Sequence, residues 1–138
     1  MAIDLYMEDD EGNELGAVLD PDELTDRIVA LAGHAGTVCL RFIDPEGDTA
    51  FNQFQIPTLI WELEAAREHV TDERLKVLGE SEAASAREAE WAPSLIHAIE
   101  ARNERIDGED VRAQLDRILE LAEKARGQKH TYLKFYGD

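Results

Sequence analysis

The chain has 138 residues and is 43% hydrophobic, enough apolar material for a single domain over 1–138 with a packed core. Its 14 basic and 31 acidic residues leave a net charge of −17, a field that repels phosphate backbones and anionic lipid, so neither nucleic acid nor a membrane is expected as a partner. No stretch approaches the ~20 apolar residues that span a bilayer, and residues 1–10 have no basic n-region or apolar h-region, so a cytoplasmic location is expected.

Ile3, Leu5 and Met7 alternate with Asp4 and Tyr6, the period of a first strand. Asp9, Asp10, Glu11, Gly12 and Asn13 read as a turn, because Gly12 and Asn13 tolerate positive φ. Residues 15–19 then return as a second strand of an N-terminal hairpin. Asp20 suits a helix cap, Pro21 a first helical position and Glu23 the carboxylate of a capping box. Leu24, Ile28, Leu31 and Ala32 fall on one face of that helix, and Gly33 or Gly36 ends it. Val38, Leu40 and Phe42 alternate with Cys39 and Arg41, which predicts a third strand over 37–43. A breaker-rich turn over 44–48 leads to a fourth strand over 49–55.

Pro57 opens a helix to about Val70, with Leu59, Ile60 and Leu63 in its apolar stripe and Trp61 flanking. A short helix over 72–78 follows, stopped by Gly79, and residues 80–90 are either an exposed helix or a mobile connector. Pro93 restarts a helix containing Leu95, Ile96 and Ile99. From Asp107 onward, Val111, Leu115, Ile118, Leu119 and Ala122 recur at helical spacing, Lys124 and Arg126 complement the negative end, and Gly127 stops the helix. Tyr132, Lys134 and Tyr136 alternate with Leu133 and Phe135 as a closing strand, expected beside residues 2–7. The predicted class is α+β: a mostly antiparallel sheet of about five strands, in the order ββαββ, three or four helices, β, with the helices on one face.

Catalytic motifs are not found. The sequence has no Gly-x-Ser-x-Gly elbow, no phosphate loop and no Gly-x-Gly-x-x-Gly. His34, His69, His97 and His130 form no His-Glu-x-x-His pair, and Asp44, Glu46 and Asp48 fail the calcium-loop pattern, since its sixth and twelfth positions would be Thr49 and Gln55. No metal and no cofactor are expected, and a metal site would need ligands from distant segments, such as His69 with Glu73. Cys39, the only cysteine, sits in an apolar run and reads as a buried thiol. Trp61 and Trp91 read as core anchors on helices, with partial exposure the alternative for Trp91 beside Pro93.

The acids are unevenly spread: residues 1–60 carry 13 of them against only Arg27 and Arg41. Two clusters stand out as candidate partner-binding residues, Glu8, Asp9, Asp10 and Glu11 at the hairpin tip and Asp44, Glu46 and Asp48 in the central turn. Clustered carboxylates serve solubility when merely solvated and receive Arg and Lys when they face a partner.

Residues 132–138, Tyr-Leu-Lys-Phe-Tyr-Gly-Asp, and residues 40–49, Leu-Arg-Phe-Ile-Asp-Pro-Glu-Gly-Asp-Thr, look like segments of small bacterial proteins. In size, charge and style the chain resembles the immunity proteins of bacterial toxin systems. That resemblance implies a small cytoplasmic protein without enzymatic activity that neutralises a basic toxin, and it assigns no residue roles. The leading expectation is therefore a binding protein for a basic protein partner. The alternatives are a self-associating structural or regulatory protein, as a homodimer through the helices over 57–70 and 111–126, and a small enzyme or metal protein whose site no motif reveals.

Overall fold

A computed structural model describes residues 1–34 and 36–137; Asp138, the last residue of the segment that carries the resemblance, lies outside them. The elements are β1 (Ile3–Asp9), β2 (Glu14–Val18), α1 (Leu24–Ala32), a 3-10 turn (Leu40–Phe42), β3 (Asp48–Phe51), α2 (Ile56–Ala66), α3 (Asp72–Glu88), α4 (Pro93–Arg105), α5 (Gly108–Ala125) and β4 (Thr131–Gly137). A second 3-10 turn, Arg67–His69, extends α2. The class is α+β, with one antiparallel sheet in the order β2-β1-β4-β3. The closing strand runs beside β1 over its whole length, Ile3 opposite Gly137 and Asp9 opposite Thr131, and β3 lies on its other side.

Alternation along the strands divides the sheet into two faces. Ile3, Leu5, Met7, Phe51, Leu133 and Phe135 are buried and point at the helices. There they meet Val111, Leu115, Ile118 and Ala122 of α5 and Ile56, Leu59, Ile60 and Leu63 of α2, in one continuous core. The strong period of α5 is thus the contact stripe against the sheet, as its spacing predicts.

The sheet has four strands rather than about five. Residues 37–43 do not extend. Glu62, 5% exposed, accepts the consecutive amides of Val38 (2.7 Å), Cys39 (3.0 Å) and Leu40 (2.9 Å). In a strand successive amides point to opposite sides and cannot share one carboxylate. At the start of a helical turn they converge. Leu40, Cys39 and Ile43 are buried, while Val38 and Phe42 are 65% and 58% exposed. The fourth predicted strand is shortened to Asp48–Phe51, because the Asn52 side chain takes the amides of Phe54 (2.9 Å) and Gln55 (3.1 Å) and turns the chain into α2.

Two helix boundaries also differ from expectation. α1 begins at Leu24, with Glu23 left-handed at φ 59°; Asp20 still caps it from a distance, accepting the amides of Thr25 (3.0 Å) and Ile3 (3.0 Å). Gly79 does not stop α3, which runs through residues 80–88 as one helix. Gly79 instead lets Asn103 of α4 come close and donate to its carbonyl at 3.1 Å. α4 buries none of its residues; Trp61, read as a core anchor, is 68% exposed, and Trp91 is 52% exposed, in line with the alternative reading for it.

Candidate recognition site

The face of the sheet turned away from the core carries Asp4, Tyr6, Glu8, Tyr132, Lys134 and Tyr136 in its two central strands, with Asp48 and Ala50 on β3 and Ala17 on β2. All three tyrosines of the chain stand here, half-buried. Tyr6 lies directly opposite Lys134, Tyr132 opposite Glu8, and Tyr136 between Asp4 and Asp48. The rings of Tyr6 and Tyr136 meet edge to face at 5.5 Å. The Tyr136 hydroxyl donates to Glu8 Oε2 at 2.5 Å, and Lys134 Nζ lies 3.3 Å from Glu8 Oε1.

Glu8 is therefore not part of an exposed run of acids at the hairpin tip. It is 8% exposed, on a central strand near the hairpin end of the face, neutralised by Lys134 and shielded by Tyr136. The hydrogen bond to Glu8, with burial and the nearby Glu8 and Asp48 charges behind it, pushes the Tyr136 phenol up to about 12.

The other predicted residues divide between the two ends of this face. Asp9 accepts the amides of Glu11 (2.9 Å) and Asn13 (2.8 Å) and the Asn13 side chain (3.0 Å), so it builds the tip of the hairpin; the Asn13 side chain foremost holds its carboxyl below the usual range. Asp10 and Glu11 project from that tip, with His130 Nδ1 3.8 Å from Asp10. At the opposite end Asp44 accepts the amide of Glu46 (2.8 Å) and shapes its own turn, leaving Glu46 and Asp48 exposed. The register separates the clusters: Asp9 faces the start of β4 and Asp48 its end. At ~3.3 Å per residue the ends of a strand of this length lie roughly 20 Å apart. The acids do not form one contiguous patch. They bracket a tyrosine-lined platform.

Sequence reasoning missed the platform's centre, although the alternations Asp4–Tyr6–Glu8 and Tyr132–Lys134–Tyr136 both contain it. It also missed three further exposed apolar side chains, Val38 and Phe42 at the turn that Glu62 clamps and Trp61 next to Glu62 in sequence. Arg41 covers the Phe42 ring at 4.6 Å.

Among the described residues no group of three or more His, Cys, Asp and Glu side chains is arranged to hold a metal ion. The rings of His34 and His69 meet edge to face at 5.2 Å, and His69 Nδ1 lies 2.7 Å from an Arg74 guanidinium nitrogen. Cys39 is buried, its thiol pushed up by burial and then by the Glu62 charge, the opposite of an activated nucleophile. No helix of the described residues is long and apolar enough to cross a membrane. Comparison with known proteins gives no match, whether to a family model, a curated protein or a solved structure.

Proposed function

We propose that this chain is an acidic binding protein that neutralises or sequesters a basic protein partner, a toxin in the immunity-type reading, through the outer face of its sheet. The observation that carries the reading is the tyrosine platform between two acidic turns. Tyrosine supplies large contact area at small entropic cost and is enriched at the centres of interfaces. Acids at the rim speed the approach of a cationic surface and select its orientation, contributing less to residence time. Lys134 sits over Glu8, which leaves the centre close to neutral and the ends negative.

The test is affinity capture at low salt with the wild type and with Tyr6→Ser/Tyr132→Ser as bait. Retention of a basic protein by the wild type, its loss from the variant and its release by salt are expected. Identical captures by both baits, or no basic protein on either, would sink the reading.

A second reading, self-association, draws on Val38, Phe42 and Trp61, which are exposed where Glu62 of α2 binds the turn before β3. Light scattering over a concentration series decides it. A mass that rises with concentration and returns to that of the monomer in Trp61→Glu supports the homodimer, and a constant monomer removes it.

A further inference from the structure

A cleft of about 500 Å³ opens between α3 and α4. Leu75 and Ala83, 7% and 4% exposed, form its floor, and Ile106 forms one wall. Arg27 of α1 also lines it although only 3% exposed, a rare depth for a guanidinium. Arg27 Nη2 donates to Asn103 Oδ1 at 2.6 Å and Nη1 reaches Glu82 Oε1 at 3.4 Å. Its Nε, fully buried, has no acceptor among the described residues.

Glu82, the one ion-pair partner of Arg27 among the described residues, is shared with Arg102. Glu82 lies nearer to Arg102, at 2.5 Å, than to Arg27. A buried cationic donor without an acceptor is disfavoured and calls for one. At the mouth of the cleft the acids differ in availability. Asp72 accepts the amide of Gly108 at 2.8 Å, Asp107 that of Asp110 at 2.9 Å, and Glu100 holds Arg87 at 2.6 Å. Glu80 and Glu104, both exposed, make no hydrogen bond or ion pair among the described residues, and Lys76 shares the rim with them.

The geometry points to a binding site for a small zwitterion with an apolar body, the class of hydrophobic amino acids and short peptides. The ligand's carboxylate takes the Arg27 guanidinium, its apolar part lies on Leu75, Ala83 and Ile106, and its ammonium meets Glu80 and Glu104. A simple anion would enter against a net charge of −17 and against those two carboxylates. A simple cation would leave the Arg27 donor unpaired and add like charge beside it. A ligand with both charges at its two ends meets neither obstacle, and the volume suits a ligand of that size. This site lies among the helices and is independent of the sheet face.

The experiment titrates the full chain with L-leucyl-L-leucine, its C-terminal amide and its N-acetyl derivative, followed by calorimetry and by amide chemical shifts. The dipeptide is expected to bind with shifts centred on Leu75, Ala83 and Ile106. Removing either charge is expected to weaken binding about tenfold, the usual worth of one charge-assisted hydrogen bond. Ala83→Leu fills the floor and abolishes binding. Glu80→Gln/Glu104→Gln alters only exposed side chains, so it retains the fold, and it loses the preference for the dipeptide over its N-acetyl derivative. The proposal is overturned if the dipeptide does not bind at millimolar concentration, if the amide binds as tightly, if the shifts centre elsewhere, or if the double glutamine variant keeps the preference.

Discussion

Glu8 and Tyr136 lie at opposite ends of the sequence and share one short hydrogen bond, so each reports on the other. The phenolate form of Tyr136 would break that bond and stand beside a carboxylate, which is why its pKa rises to about 12. A folded-state pKa above the unfolded value of ~10 means stability that is fully present below pH 10 and lost as pH rises through 10 to 12. An absorbance titration of the phenols should therefore contain one component near pH 12, absent in Tyr136→Phe. The variant removes one hydrogen bond to a charged group on a half-open face, so it should cost about 1 kcal/mol in urea unfolding at pH 7. A titration curve identical in the two proteins would show that Glu8 does not hold the hydroxyl in solution.

Among the elements, the turn over Leu40–Phe42 depends on a residue far away in sequence. Glu62→Ala orphans the three amides of Val38, Cys39 and Leu40 at once. At ~1–3 kcal/mol for each buried donor left unpaired, and with water entering to replace some, a loss of about 3 kcal/mol is expected. Cys39 gives a separate readout: buried now, it should react with a thiol reagent faster than in the wild type. Unchanged reactivity and stability would mean that the carboxylate is not the clamp. α3 supplies a test of opposite intuition. Gly→Ala inside a helix usually stabilises by about 1 kcal/mol. At Gly79 a Cβ would stand 2.9 Å from Asn103 Cγ, and Asn103 is held in place by Arg27 and by the Gly79 carbonyl. Gly79→Ala should therefore lower the unfolding midpoint, and a rise would show that Asn103 moves aside freely.

These same elements show how far the sequence could be read. β1, β4 and α5 follow from periodicity because each buries one regular face against the core, whereas β2 buries only Val18 and follows from the turn that precedes it. Residues 37–43 carry an equally good alternation and still form a turn, because the decisive acceptor, Glu62, lies about twenty positions onward and leaves no mark in the local pattern. Gly79 reads locally as a stop, but the close approach of α4 that makes it useful is a tertiary fact. Of the candidate site, the acidic ends were legible as charge runs. Their separation was not, since it depends on β4 inserting between β1 and β3. Nor was the burial of Glu8 beneath Tyr136, which requires the same pairing.

Over the whole molecule, the surplus of negative charge and the buried carboxylates act on stability in the same direction. Asp20 and Asp26 are raised above their ordinary values, in each case chiefly by burial. A carboxyl with a raised folded pKa binds its proton more readily in the native state, so stability falls as pH climbs through its range. Asp9 and Glu23 act in the opposite sense. Asp9 is lowered by the Asn13 side chain foremost; for Glu23, burial pushes upward but is outweighed by the Met1 ammonium and Arg102. Their contributions vanish only when the medium becomes acidic enough to protonate them in the folded state, below the usual carboxylate range. Self-repulsion at a net charge of −17 also relaxes on mild acidification, as exposed carboxyls begin to take up protons. The urea midpoint should therefore be higher near pH 5.5 than near pH 8 and should fall again below about pH 4, where lowered carboxyls of this kind protonate. Salt tests this cause. Screening at 0.5 M reduces repulsion between exposed charges beyond a Debye length of roughly 4 Å. The difference between pH 5.5 and pH 8 should therefore shrink in salt, and a difference that persists undiminished would show that repulsion does not produce it. A midpoint that rises steadily from pH 5.5 to pH 8 at low salt would contradict it as well.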